Sequence, residues 1–176
     1  GIYADLTTYA KAIGNGYPVA AFGGRSDVMD AISFEKGGVT HGGTYTANMV
    51  ALSAAKATLT ILKETDALAN IANVGKKIQT VLARVFTKFG IKHCFAGPDA
   101  MFGVHFGSEV PQNYRDWKQT NSDLYTQFAM NLIDNGLMLE PDSREPWFIC
   151  EAHRTMDLNW LEQVAEQSMA AAIKAQ

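Results

Sequence analysis

Lys11 follows a polar, strand-like stretch, Tyr3-Ala4-Asp5-Leu6-Thr7-Thr8-Tyr9, and precedes a Gly14-Asn15-Gly16-Tyr17-Pro18 turn. Its neighbours Tyr9, Ala10, Ala12 and Ile13 are surroundings that desolvate an ammonium and favour the neutral amine. A neutral lysine amine attacks carbonyl carbon and forms Schiff bases. The same residues also fit a surface lysine whose stem covers an apolar edge. Further on, Thr40-His41-Gly42-Gly43-Thr44-Tyr45-Thr46-Ala47-Asn48 carries paired glycines that let backbone amides approach a phosphate, with the Thr44 hydroxyl as a further donor. Together with Gly37-Gly38 these glycines read equally as a flexible surface loop. His41 is expected to hydrogen-bond within the loop and is assigned no proton transfer.

A third polar cluster, Glu140-Pro141-Asp142-Ser143-Arg144-Glu145-Pro146-Trp147, lies between two candidate strands. Arg144 there suits a bidentate contact with a substrate carboxylate. The alternative is a solvated Arg144 pairing with Glu140 or Glu145. Trp147 is expected in the core. His93 and His105, near Cys94, are read as core or hydrogen-bonded histidines rather than metal ligands, because no carboxylate partner accompanies them. No metal is expected. The carboxylates are scattered, with no pair spaced for glycosidase-like acid/base work.

These groups must be held by a folded scaffold. At 176 residues, with 47% hydrophobic content, the chain can bury one sizeable core, or one core plus a smaller lobe. The formal charge of −3 and the absence of a basic stripe argue against nucleic-acid partners. No apolar run approaches the ~18 residues needed to cross a bilayer, so no membrane partner is expected. Cys94 and Cys150 stand alone in apolar segments and read as buried thiols in a reducing, cytoplasmic compartment. No secretory or transit signal is read at Gly1.

The pattern of elements alternates. Val19–Gly24 reads as a short strand, and Ser26-Asp27 caps a short helix ending near Ile32. Residues 34–43 read as loop, and Ala47–Glu64 as a well-buried helix able to connect two lobes. The next helix starts at Asp66. Its stripe Leu68, Ile71, Val74, Ile78, Val81, Leu82, Val85 and Phe89 predicts one face packed on a sheet, closed by Gly90. Lys92–Ala96 and Met101–Phe106 predict two strands around a Gly97-Pro98-Asp99 turn. Residues 108–120 are polar and irregular, with Tyr114 and Trp117 as anchors. Asn121 or Ser122 caps a helix closed by Asn135-Gly136, Leu137–Leu139 and Trp147–Cys150 are candidate strands, and a last helix follows Asp157.

The string Asp5-Leu6-Thr7-Thr8-x-x-Lys11-x-x-Gly14-x-Gly16-x-Pro18, followed by Val19-Ala20-Ala21-Phe22-Gly23-Gly24-Arg25, resembles the cofactor-lysine segment of class III pyridoxal-phosphate aminotransferases. The likeness is greatest to the glutamate-1-semialdehyde aminomutase branch. The His41–Asn48 segment is similar to that family's His-Gly-x-Thr-Phe/Tyr-x-x-Asn-Pro loop, except that Met49 stands where the family has proline. The resemblance implies an α/β, type I pyridoxal-phosphate transferase fold: residues 1–50 as the end of the large cofactor-binding domain, and 51–176 as a connecting helix and small C-terminal α+β domain. It implies pyridoxal 5'-phosphate held by Lys11 as an internal aldimine. Gly43 and Thr44 would bind the phosphate, Thr44 reaching into the neighbouring subunit's site of a homodimer. Arg144 and Glu145 fall where related enzymes bring small-domain residues over the substrate.

The implied reaction is amino transfer between an amino donor and an oxo acceptor, with Lys11 exchanging out and moving the proton. The family's upstream part supplies a first phosphate loop, a ring-stacking aromatic residue and the aspartate that keeps the pyridine nitrogen protonated. This chain therefore resembles the last part of a longer enzyme, and that upstream segment is an expected partner. Aminomutase chemistry, and a noncatalytic folding or dimerisation fragment, are the competing readings; aldolase-type Schiff-base chemistry would leave the Thr44 loop unexplained.

Overall fold

The computed structural model describes residues 1–176, in two compact units, Gly1–Thr65 and Asp66–Gln176. In the first, alternation and the Gly-Asn-Gly-Tyr-Pro turn produce an antiparallel ribbon of β1 (Leu6–Tyr9) and β2 (Ala21–Gly24). Its register runs from Leu6 opposite Gly24 to Tyr9 opposite Ala21. The Arg25 amide extends the pairing onto the Asp5 carbonyl at 3.0 Å, and the Arg25 guanidinium holds Asp5 and Asp27, each at 2.6 Å. Helix α1 (Ser26–Met29) continues as a 3₁₀ turn to Ile32, where the sequence ends it, but Ser26 lies inside the helix and Arg25 takes the cap position.

Helix α2 (Met49–Glu64) starts at Asn48, whose side-chain oxygen accepts from the Ala51 amide at 3.0 Å. The expectation that this helix is well buried is corrected. Only Ala51 and Ala55 are buried, while Met49, Val50, Leu52, Leu59 and Ile61 are exposed. A two-stranded ribbon offers too little surface to cover a 16-residue helix.

The second unit has a real core. Helix α3 (Ala67–Lys88) buries Val74, Ile78, Val81, Leu82 and Val85 of the predicted stripe and adds Phe86, whereas Leu68 at its start is exposed and Ile71 and Phe89 are half-buried. Gly90 ends it at φ 69°, and the Ile91 amide returns to the Phe86 carbonyl at 2.9 Å. Strands β3 (Cys94–Ala96) and β4 (Met101–His105) pair antiparallel, and β5 (Trp147–Phe148) adds to the other side of β4. Gly75 in α3 sits against the Asp99 carbonyl of the β3–β4 turn, leaving no room for a Cβ.

Phe102, Val104 and Phe106 face α3, α5 (Ser122–Asp134) and α6 (Leu158–Lys174) in one cluster. There Phe86 meets Phe106 and Phe128 edge-on at 5.0 and 5.4 Å. Asn121 and Asp157 cap α5 and α6 as the sequence indicates. Within 108–120, the short helix α4 (Tyr114–Trp117) carries Trp117, whose indole donates to Ser143 Oγ at 2.9 Å; Tyr114 stacks on it.

Three readings change. Leu137–Leu139 alternates like a strand, with Leu137 and Leu139 packed inward, but has no strand beside it. Trp147–Phe148 pairs for only two residues, and Cys150 opens a 3₁₀ turn instead of extending the strand. Cys150 is exposed, not buried; Cys94 is half-buried, and burial raises its thiol pKa. No helix is long and apolar enough to cross a membrane.

His105 is 8% exposed and its Nδ1 has no hydrogen-bond partner. Burial lowers its pKa. Below about pH 6.5 the unfolded chain takes up a proton that folded His105 refuses. Stability contributed by neutral His105 is thus present above that pH and declines as pH falls toward the folded pKa. Urea unfolding at stepped pH between about 7 and 5 should show this decline, and it should be shallower in His105→Gln; identical slopes would show that His105 does not drive it.

Candidate active site

The β1–β2 ribbon delivers Lys11 immediately beyond its end. Ala10 is extended, and Lys11 begins a 3₁₀ turn, Lys11–Ile13, at φ 52°. A non-glycine residue in that left-handed region costs on the order of 1–2 kcal/mol. The turn is locked by the Gly14 amide on the Lys11 carbonyl at 3.0 Å and the Tyr17 amide on the Gly14 carbonyl at 3.0 Å. Lys11 itself is exposed and its amine has no hydrogen-bond or ion-pair partner. The local apolar neighbours therefore do not desolvate it within this chain. Tyr9, Ala10 and Ala12 are themselves exposed, so they present no enclosing wall.

Beside the ribbon lies a hollow of 830 Å³. Tyr9, Ala10 and Phe22 line it from the strands, and His41, Gly43 and Thr44 from the loop. Lys11 is one residue past the lining. His41 does not bond within its loop; its ring meets Phe22 edge-on at 5.0 Å and ties the loop to β2. Past Thr44, the Thr46 amide closes onto the Gly43 carbonyl at 2.9 Å, and Ala47 at φ 59° turns the chain into α2. The amides of Gly43, Thr44 and Tyr45 and the Thr44 hydroxyl have no protein partner. A Cβ at Gly42 would meet nothing within 4 Å, so that glycine leaves the backbone open to an incoming group. No carboxylate lines the hollow. Free donors without opposing negative charge fit a phosphate such as that of pyridoxal 5'-phosphate. The chain offers no carboxylate for a pyridine nitrogen there, since Asp5 and Asp27 are both held by Arg25.

Arg144 and Glu145 belong to the second unit. Arg144 is gripped by Asp142: its Nε lies 2.9 Å from both carboxylate oxygens and its Nη2 contacts Oδ2. The guanidinium carbon stands 5.1 Å from the Trp117 ring centroid. This clamp, and not Glu140 or Glu145, is its partner. It uses the Nε edge and leaves Nη1 for another acceptor. The Asp-x-Arg spacing was the available signal for it. Arg144 in turn holds the Asp142 carboxyl below its ordinary pKa. Glu145 is exposed and lines a separate groove with Trp147, which is buried.

With this geometry in place, the comparisons with known proteins are specific. The model of the class-III aminotransferase family matches residues 1–164, and the chain belongs to that family. It is 36% identical over 153 residues to the glutamate-1-semialdehyde 2,1-aminomutase of Neisseria gonorrhoeae (strain ATCC 700825 / FA 1090), covering 87% of this chain and 35% of that protein. Among solved structures it superposes on a β-phenylalanine aminotransferase from Variovorax paradoxus with a TM-score of 0.80 and 26% identity, over 99% of this chain and 40% of that one. The FumI protein of Sphingopyxis sp. MTA144, in its PLP internal aldimine form, gives a TM-score of 0.81 at 22% identity, over 97% and 37%. The fold is thus the pyridoxal-phosphate transferase fold in part, and the chain spans about a third of the length of that curated relative.

If Asp142 positions Arg144, Asp142→Asn should weaken the grip on the Arg144 Nε–H. Its NMR signal should then exchange with solvent several-fold faster than in the parent chain; an unchanged rate would mean that Trp117 alone holds the side chain.

Proposed function

We propose that this chain carries the lysine and a phosphate-binding loop of a pyridoxal-phosphate-dependent aminotransferase, which moves an amino group between an amino donor and an oxo acceptor. The observation that carries this reading is Lys11 held one residue beyond a carboxylate-free hollow lined by Gly43 and Thr44. Pyridoxal 5'-phosphate, when bound, supplies the electron sink for the pair left at the substrate carbon.

The residues have separate tasks. Lys11 Nζ would hold the cofactor covalently and, as a free amine, would carry the proton at the reacting carbon. Thr44 Oγ1 and the amides of Gly43 and Thr44 would donate to the phosphate, while the His41–Phe22 contact keeps their loop against the ribbon. Nη1 of Arg144 is the group for a substrate carboxylate, oriented by Asp142 and Trp117, with Glu145 beside it. Residues 1–50 serve as the end of a large domain and 51–176 as connecting helix and small domain.

Neutral Lys11 requires cover. Exposed Tyr45, Met49 and Val50 offer apolar surface for it, which supports a homodimer with a shared site and an upstream segment of the same enzyme. The two free thiols suit a cytoplasmic setting. A second reading, the aminomutase, is favoured by the 36% identity to such an enzyme; it differs in needing one substrate and no separate oxo acceptor.

In the complete enzyme, Lys11→Ala should abolish turnover with the fold intact, and undiminished transamination would refute the assignment. Thr44→Val should weaken cofactor retention in equilibrium dialysis by about tenfold or more, the loss expected for one hydrogen bond to a charged group. Unchanged retention would remove Thr44 from the phosphate site and favour a noncatalytic fragment.

A further inference from the structure

Asp142, Ser143 and Arg144 are consecutive, but the middle side chain goes its own way. Arg144 is exposed and gripped by Asp142, whereas Ser143 is only 3% exposed. Its Oγ accepts from the Trp117 indole N–H at 2.9 Å. The loop is already fastened at both ends. Tyr125 Oη donates to the Glu140 carbonyl at 3.2 Å and Thr126 Oγ1 to the Pro141 carbonyl at 3.1 Å, which ties its start to α5. Trp147, at its end, pairs with Phe102 in the sheet. The Ser143 bond falls between these anchors and runs to a ring.

That ring has little other hold. The Arg115 and Asp116 amides donate to Asn113 Oδ1, and Thr120 Oγ1 donates to the Trp117 carbonyl at 2.7 Å. These bonds fix the backbone of α4 and leave the Trp117 side-chain torsions free. Tyr114 stacks on the indole at 5.3 Å, but Tyr114 is itself exposed. The indole N–H on Ser143 sets which face the ring offers. The Arg144 guanidinium carbon stands 5.1 Å from the centroid of that ring, within reach of cation–π attraction. Asp142 holds the guanidinium along its Nε edge. Two planar groups joined along one edge can still hinge about it, and the indole face limits that hinge.

We infer that Ser143 is a positioning residue: through the Trp117 indole it fixes the plane of the Arg144 guanidinium and hence the direction of Nη1. The inference rests on the reading of Arg144 as the group for a substrate carboxylate. It gives a buried serine a part in selecting amino donors that carry a carboxylate.

The test reads the full chain by NMR and the complete enzyme by kinetics. In the chain, Ser143→Ala should move the Trp117 indole N–H signal, erase most of the ring-current shift at the Arg144 Cδ protons and speed Arg144 Nε–H exchange several-fold. Trp117→Phe, which keeps a ring and removes its N–H, should speed that exchange alike. The double variant should be no faster than either, since both changes remove one bond. Parent values in Ser143→Ala, or additive effects, would overturn the inference. In the enzyme the readout is KM for 3-aminobutanoate and for 2-aminobutane, donors that differ by a carboxylate in place of a methyl group. Ser143→Ala should raise the first about threefold over any change in the second, the loss expected of one exposed cation–π contact. An equal change for both donors would make Ser143 merely structural. Arg144→Ala separates the two claims. If it spares the preference for 3-aminobutanoate, or the parent enzyme has none, the carboxylate reading of Arg144 falls; a preference lost in Arg144→Ala and intact in Ser143→Ala overturns the inference alone.

Discussion

Backbone pairing of Leu6–Tyr9 with Ala21–Gly24 decides where Lys11 stands, because the lysine follows the last paired residue by two positions. The same ribbon supplies Phe22 as the anchor for His41 and hence for the Thr44 loop. Both parts of the candidate cofactor site therefore depend on four residue pairs. A two-stranded ribbon is marginal in isolation. The Arg25 ion pairs that brace it are exposed and contribute little. Covering the ribbon would do two things together: stabilise it and desolvate the lysine.

The two units differ in this respect. Asp66–Gln176 buries aromatic rings from α3, α5 and β4 in one cluster, and two of these side chains are linked through their polar atoms: Trp147 donates to Tyr125 Oη at 3.0 Å, and Tyr125 donates to the Glu140 carbonyl at 3.2 Å. Burial pushes the Tyr125 phenol up to about 12, so it remains a donor throughout the physiological range. That link fixes the start of the Glu140–Trp147 loop on which Arg144 is mounted. The first unit has no comparable interior, with glycine and alanine as its fully buried residues. The proposed cofactor residues thus lie in the unit whose self-sufficient packing is least.

Much of the fold was legible because it is written in local periodicity. The α3 stripe, the Gly90 terminus and the Asn121 and Asp157 caps each depend on residues within a few positions. The family resemblance was legible from two ordered motifs. What stayed hidden depends on distant or absent neighbours. Tyr9, Ala10 and Ile13 suggested a buried lysine, but burial is a property of what packs around a turn, and here nothing encloses it. Leu137–Leu139 has strand alternation without a strand beside it, so periodicity named the conformation and not the pairing. The Asp142 clamp on Arg144 is local in sequence, but its third member, Trp117, comes from α4.

The central claim is that Lys11 Nζ is the cofactor's covalent attachment point, and borohydride trapping tests it most directly. Pyridoxal 5'-phosphate is added to the purified protein, the adduct is reduced, and peptides are mapped by mass spectrometry. Labelling confined to the peptide containing Lys11, and lost in Lys11→Ala, is the predicted result. Label scattered over the exposed lysines, or unchanged by that substitution, would contradict it.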